Sequence, residues 1–158
     1  MQTLRSRKRK LETVLKNALL SQYSEGIGET QIVIGRENTE HEKTVIQIHC
    51  DSSEPTEDET ETLTGFTVGG MISVLTSIDD KARDEHDRLE GIIEAFVEQE
   101  TESFVSFLNQ QDDVAQFGVW EFQPEGSEDG IQEDLRRYIS TYRFNAVVQH
   151  ETQHNLIN

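Results

Sequence analysis

The feature that most narrows the fold is a change of hydrophobic period along the chain. Leu89, Ile92, Ile93, Phe96 and Val97 fall on one stripe of a 3.6-residue repeat. That stripe predicts a long helix from about Lys81 to Gln99, capped by Asp79 and Asp80, with Phe104, Phe107 and Leu108 on a shorter helix behind it. The stretches on either side read with a period of two. Thr44 to Cys50 places Ile46, Ile48 and Cys50 on one side and Val45, Gln47 and His49 on the other. Leu63 to Ile78 predicts one long bent strand, or two with a bulge at Gly69–Gly70. Val114 to Phe122 predicts a strand with Phe117 and Val119 on one face and Trp120 and Phe122 on the other. Pro124 to Gly130 reads as a turn region, and a short helical turn then leads into a strand from about Tyr138 to Gln149.

Near the start, Leu11, Val14, Leu15, Ala18 and Leu19 predict an amphipathic helix of about three turns. Ser24 to Thr30 reads as a loop, and Gln31 to Gly35 is a short apolar run. Helices and strands are segregated, which points to an α+β fold. The expected architecture is a mostly antiparallel sheet of about four or five strands, with an N-terminal helix and a long central helix packed on it.

Composition supports a single packed domain. Leu, Ile, Val and Phe make up about 26% of the 158 residues, above the ~20% floor of disordered chains. No apolar run approaches the ~20 residues of a membrane helix. The basic N-terminus leads into an amphipathic segment, so no secretory signal is expected. The one cysteine, Cys50, excludes an intrachain disulfide and any zinc site built on several thiolates.

Charge constrains the partners. Thirty-one acids against 14 bases give −17. Arg5, Arg7, Lys8, Arg9 and Lys10 concentrate five of those bases in the first ten residues, so the body is more acidic than the total suggests. Such a body repels nucleic acid and anionic membranes, and its self-repulsion favours high salt; the composition is that of a halophile protein or of an ordinary acidic cytosolic domain. The expected organisation is a basic N-terminal arm or frayed helix start at 1–10, one domain at 11–149 and a polar tail at 150–158. Within the domain, 51–62 carries six acids, Pro55 and no apolar residue, and reads as a solvated loop.

Few residues point to chemistry. His150-Glu151-Thr152-Gln153-His154 matches the H-E-x-x-H zinc pattern. It follows a predicted strand rather than lying on a helix, and only Asn155 to Asn158 follow to supply a third ligand. The acids Asp79, Asp80, Asp84, Glu85 and Asp87 are explained by the dipole of the helix they open. Gly26-Ile27-Gly28 lacks the third glycine of a dinucleotide loop. His49 and Cys50 point to opposite faces of a strand, so they form no nucleophile–base pair. No catalytic, metal-binding or cofactor-binding residue is therefore assigned. Arg136, Arg137 and Arg143 form a second basic group, which beside Trp120 and Phe122 would make a protein-binding patch, core packing being the competing role of both aromatics.

The order of elements resembles the tail-terminator, or tail-completion, proteins of long-tailed phages and related archaeal viruses. The opening helix corresponds to Leu11–Leu20. Strands like Thr44-Val45-Ile46-Gln47-Ile48 and Gly65–Thr76 follow, then helices like Glu85–Gln99 and Ser103–Leu108. The closing strands correspond to Phe117-Gly118-Val119-Trp120-Glu121-Phe122 and to Tyr142-Arg143-Phe144-Asn145-Ala146-Val147-Val148. The resemblance implies a structural virion protein without enzymatic activity. It would form a hexameric ring on the head-proximal end of the tail tube, stop tube growth and join the tail to the head. Its partners would be itself, the tail tube protein and the head-side connector or stopper. DNA would pass through the channel without specific binding, and no membrane or cofactor would be involved.

A ring contact is heterologous, so opposite patches of one subunit must match. The sequence suggests the basic residues Arg5, Arg7, Lys8, Arg9 and Lys10 against Glu57, Asp58 and Glu59 of a neighbour's acidic loop. Trp120, Phe122, Arg136 and Arg137 are the other candidate interface residues. Another neck or head-completion ring protein, a small acidic adaptor or inhibitor, and a metalloenzyme using His150 and His154 are the competing readings.

Overall fold

The computed structural model describes residues 6–35, 44–55, 65–78, 82–111, 117–133 and 136–150. Eight elements follow in order: α1 (Arg7–Ile27), β1 (Gln31–Ile34), β2 (Val45–Pro55), β3 (Gly65–Ser77), α2 (Ala82–Val97), α3 (Thr101–Leu108), β4 (Phe117–Gln132) and β5 (Arg137–His150). The strands form one sheet in the order β1-β2-β3-β5-β4. Only the β1–β2 pair is parallel; the other three pairs are antiparallel. The expected α+β class and its mostly antiparallel sheet are what the chain adopts.

The helices cover the sheet piecewise, α1 over β1 and β2, α2 over β3 and β5, and α3 over β4. Alternation along the strands supplies the matching apolar face. Ile46, Ile48, Val68, Ile72, Val74, Phe144, Ala146 and Val148 all enter the main core with Leu11, Leu15, Leu19, Leu89 and Ile93. An aromatic relay runs through it. Phe96, Phe104 and Phe122 meet edge to face at 5.0 Å centroid separations, and Phe122 stacks on Phe144 at 5.0 Å. Phe144 fits because Gly70 lies opposite it on β3. A Cβ at Gly70 would come within 2.8 Å of the Phe144 ring and 2.7 Å of the His49 carbonyl oxygen. Val45 and Leu75, paired across β2 and β3, are buried outside the main core, on the other face of the sheet.

Three local expectations need correction. Helix α1 does not end before Ser24 but runs to Ile27, across a distortion at Tyr23 (φ −130°, ψ 25°). The distortion returns Ile27 to the core, and Gly28 (φ 59°) ends the helix. Pro124 to Gly130 is not a turn: it lies inside β4. A register shift between Pro124 and Ser127 absorbs the extra residues, with Gly126 at φ 105°, a conformation open to glycine. Proline is tolerated because β4 is an edge strand with one side unpaired. Finally, Asp51 to Pro55 is strand rather than loop. Of the two readings of Leu63 to Ile78, the single long strand holds, as β3, and the bulge opposite its Gly69–Gly70 pair belongs to the partner strand, between Cys50 and Ser52.

Candidate assembly surface

The outer strand carries the most distinctive surface, and a second bulge makes it. Val119 pairs with Val148 and Glu121 with Val147, which leaves Trp120 as the extra residue. The alternation is therefore broken. Val119 and Phe122, expected on opposite faces, are both buried, and Trp120 is 59% exposed. Phe122 is thus a core residue, and only the tryptophan of this aromatic pair faces outward. The indole N–H donates to Gln149 Oε1 at 3.2 Å. The ring lies beside Gly118, where an added Cβ would come no closer than 3.8 Å to the indole nitrogen. Asn109, at the end of α3, holds the backbone of the bulge from outside. Its amide donates to the Val119 carbonyl at 2.8 Å, and its oxygen accepts the Val119 N–H at 2.8 Å. The side chain thereby satisfies an edge that would otherwise be open to another strand.

Beyond Phe122, β4 stays exposed. Glu121, Glu125, Glu128 and Asp129 point to solvent, and the strand from Phe117 to Gln132 contains no Lys, Arg or His. Ile131, at its far end, is 58% exposed. Charges, a proline and two bulges on one edge strand keep it from pairing with further strands while leaving its side chains available for docking.

The arginines expected beside Trp120 are elsewhere. Arg137 opens β5, opposite Ser77 and Gln132, whereas Trp120 sits by Val148 near the strand's other end. Eleven residues separate these rows along β5, about 37 Å at the usual strand rise. Arg137 is buried, and burial lowers its pKa. Arg136, with φ 50°, is exposed at the turn before β5. Arg143 is exposed in mid-strand opposite Met71.

Of the two readings of the basic segment, an arm or a helix start, the described residues adopt the helix start. Arg7 to Lys10 form the first turn of α1, capped by Ser6, whose hydroxyl accepts the Arg9 N–H. The Arg7 guanidinium donates to Ser53 and stacks 3.6 Å over the Phe66 ring. Arg9 donates to the Ile34 carbonyl and lies 3.6 Å from Glu12. The basic turn therefore docks on its own chain, beside the strand ends that flank the acidic segment. Arg5, Glu57, Asp58 and Glu59 lie outside the described residues.

Two buried polar centres escaped the sequence reading. His86 lies in the α2 stripe, three residues before Leu89. Its Nδ1 is 2.9 Å from Thr76 Oγ1, and its Nε2 is 2.8 Å from Ser140 Oγ and 2.9 Å from Glu90 Oε1. The Ser140 hydroxyl donates to the same Glu90 oxygen. This joins α2 to β3 and β5. The carboxylate and the serine share one ring nitrogen, so the set is not a relay that activates the hydroxyl. Glu12, buried in α1, accepts the Cys50 N–H at 2.9 Å, at the β2 bulge. Both residues occupy core positions of amphipathic helices, and that placement was the available signal.

The Cys50 thiol is buried, and burial, with Glu12 and Asp51 nearby, pushes its pKa far up. It is a core residue, as expected. His150 ends β5, and the rest of the H-E-x-x-H pattern lies outside the described residues. Among the described residues, no group of three or more His, Cys, Asp or Glu side chains is placed to hold a metal ion. Among them too, no helix is long and apolar enough to cross a membrane.

No family model and no curated protein matches the chain. Among solved structures, the fold is similar to a chain of the virion of the native gene transfer agent particle. The match has a TM-score of 0.56 and 10% identity, and covers 88% of this chain and 94% of that one. At that identity the likeness is one of fold.

Proposed function

We propose that this chain is a structural virion protein that caps the head-proximal end of the tail tube as a hexameric ring. Binding is the whole activity: the ring stops tube growth and presents the surface that joins tail to head. The observation that carries this reading is the fold shared, over nearly the full length of both chains, with a chain of a virion particle. The element order that resembles the tail-terminator family supports it. So does the charge, because six copies at −17 each would line a channel that DNA crosses without sticking.

The test is particle mass by light scattering in high salt, with imaging of the same sample. Rings near six times 18.1 kDa are expected. When added to polymerising tail tubes, the protein should arrest their length at a stoichiometry of one ring per tube. Tubes that continue to lengthen at saturating protein would defeat the reading.

A further inference from the structure

We propose that the Trp120 bulge and the outer edge of β4 form a docking surface for a basic face of a different protein. This stands apart from the ring reading and rests on three observations. First, Trp120 is the only tryptophan of the chain, and it is held out by a bulge whose backbone Asn109 pins on both its N–H and its C=O. A large aromatic fixed in advance anchors an interface at small entropic cost. Second, the strand continues from it with Glu121, Glu125, Glu128 and Asp129 exposed and with no base of its own; on the neighbouring strand Arg137 is buried opposite Gln132, and Arg143 is exposed where β4 bulges between Pro124 and Ser127, one exposed arginine against four carboxylates. Third, the bulges and Pro124 close this edge to strand addition, so the occupant meets side chains rather than the backbone ladder.

Charge decides the occupant. Nucleic acid and anionic lipid are repelled. A second copy brings −17 of its own, and in its densest basic turn Arg7 and Arg9 are engaged within the chain. A surface rich in arginine fits both parts, pairing with the carboxylates and stacking on the indole.

The single tryptophan makes the test direct. A twelve-residue Arg-Ser repeat peptide is titrated at low salt while Trp120 emission is followed, with Lys-Ser and Glu-Ser peptides in parallel. The Arg peptide should shift the emission and bind more tightly than the Lys peptide, and the Glu peptide should not bind. Glu121→Gln, Glu125→Gln and Glu128→Gln together should weaken binding by roughly tenfold or more. Trp120→Ala, read by anisotropy of labelled peptide, should weaken it too. The same number of amides at Glu29, Glu98 and Glu102, which are exposed elsewhere, should leave affinity unchanged.

An unshifted emission overturns the proposal. So does equal loss in the two triple variants, which would mean general attraction to an acidic body. Light scattering separates the remaining occupant: the β4 triple variant should keep the wild-type particle mass. Loss of self-association in that variant would make the edge a contact between copies and overturn the proposal, while leaving the ring reading standing.

Discussion

Strands β3 and β4 flank the same partner, β5, and run antiparallel to it, yet they behave as opposites. From Gly65 to Ser77, β3 has no charged residue and lies mostly buried in mid-sheet. From Phe117 to Gln132, β4 has four exposed carboxylates and two bulges. One side of β5 serves folding. The other is built to be met from outside, and of its two buried side chains, Val119 and Phe122, the second reaches the core because the bulge redirects it. A strand's place in the sheet order, more than its length or pairing, decides which role it takes.

The sharpest way to break this contrast is at the boundary inside β4. Phe122 stands two residues from exposed Trp120, yet it stacks between Phe104 and Phe144 in the core. Phe122→Ala should therefore cost ~3–5 kcal/mol in denaturant unfolding. Trp120→Ala should stay within ~0.5 kcal/mol of wild type. Equal losses from the two would show that β4 packs as β3 does and that the bulge does not divide them.

The second test lies on β3. Gly70→Ala adds one methyl, but that carbon meets backbone on one side and the Phe144 ring on the other. Neither yields without moving a strand or the aromatic relay. A loss of ~1–3 kcal/mol is expected, read as a lower denaturant midpoint at unchanged slope. At Gly118 on β4 the new methyl would meet nothing closer than the Trp120 indole nitrogen at 3.8 Å, and Gly118→Ala should cost little beyond the noise of the same assay.

The contrast also marks where sequence is legible. The α2 stripe was readable because one period ran unbroken from Leu89 to Val97. The same holds for Ile46 and Ile48 on β2 and for the strand at Tyr142 to Val148. Each is a regular element whose burial follows its period. What was lost lies where a single residue breaks the count. The Trp120 bulge reverses the faces of β4, so strict alternation paired Trp120 with Phe122 and put both on one side. Pro124, Gly126 and Gly130 have the composition of a turn, and only pairing with β5 keeps them in a strand. The basic residues look like an arm because charge alone does not reveal a stacking partner. Phe66, which receives Arg7, is 59 residues away in sequence. His86 and Glu12 were visible as polar residues in apolar stripes, but their partners on distant strands were not.

Tyr142 gives the finest measure of the comparison, since it sits on β5 with Ile72 of β3 on one side and Ser127 of β4 on the other. Its hydroxyl donates to Glu94 Oε1 at 3.2 Å. Burial raises its pKa far above the ordinary phenol value of 10.0, and Glu94 and Glu90 from α2 and Asp129 from β4 push it the same way. The sign follows directly. Below pH ~10 the phenol is protonated in both folded and unfolded chains and contributes no pH dependence. Above that, the unfolded chain releases the proton while the folded one retains it, so stability falls as pH rises.

Tyr142→Phe should lose ~1 kcal/mol at neutral pH with the hydrogen bond, but its stability should decline less steeply above pH ~10 than that of the wild type. An alkaline decline in Tyr142→Phe as steep as in the wild type would mean that the buried phenol on β5 does not carry the loss.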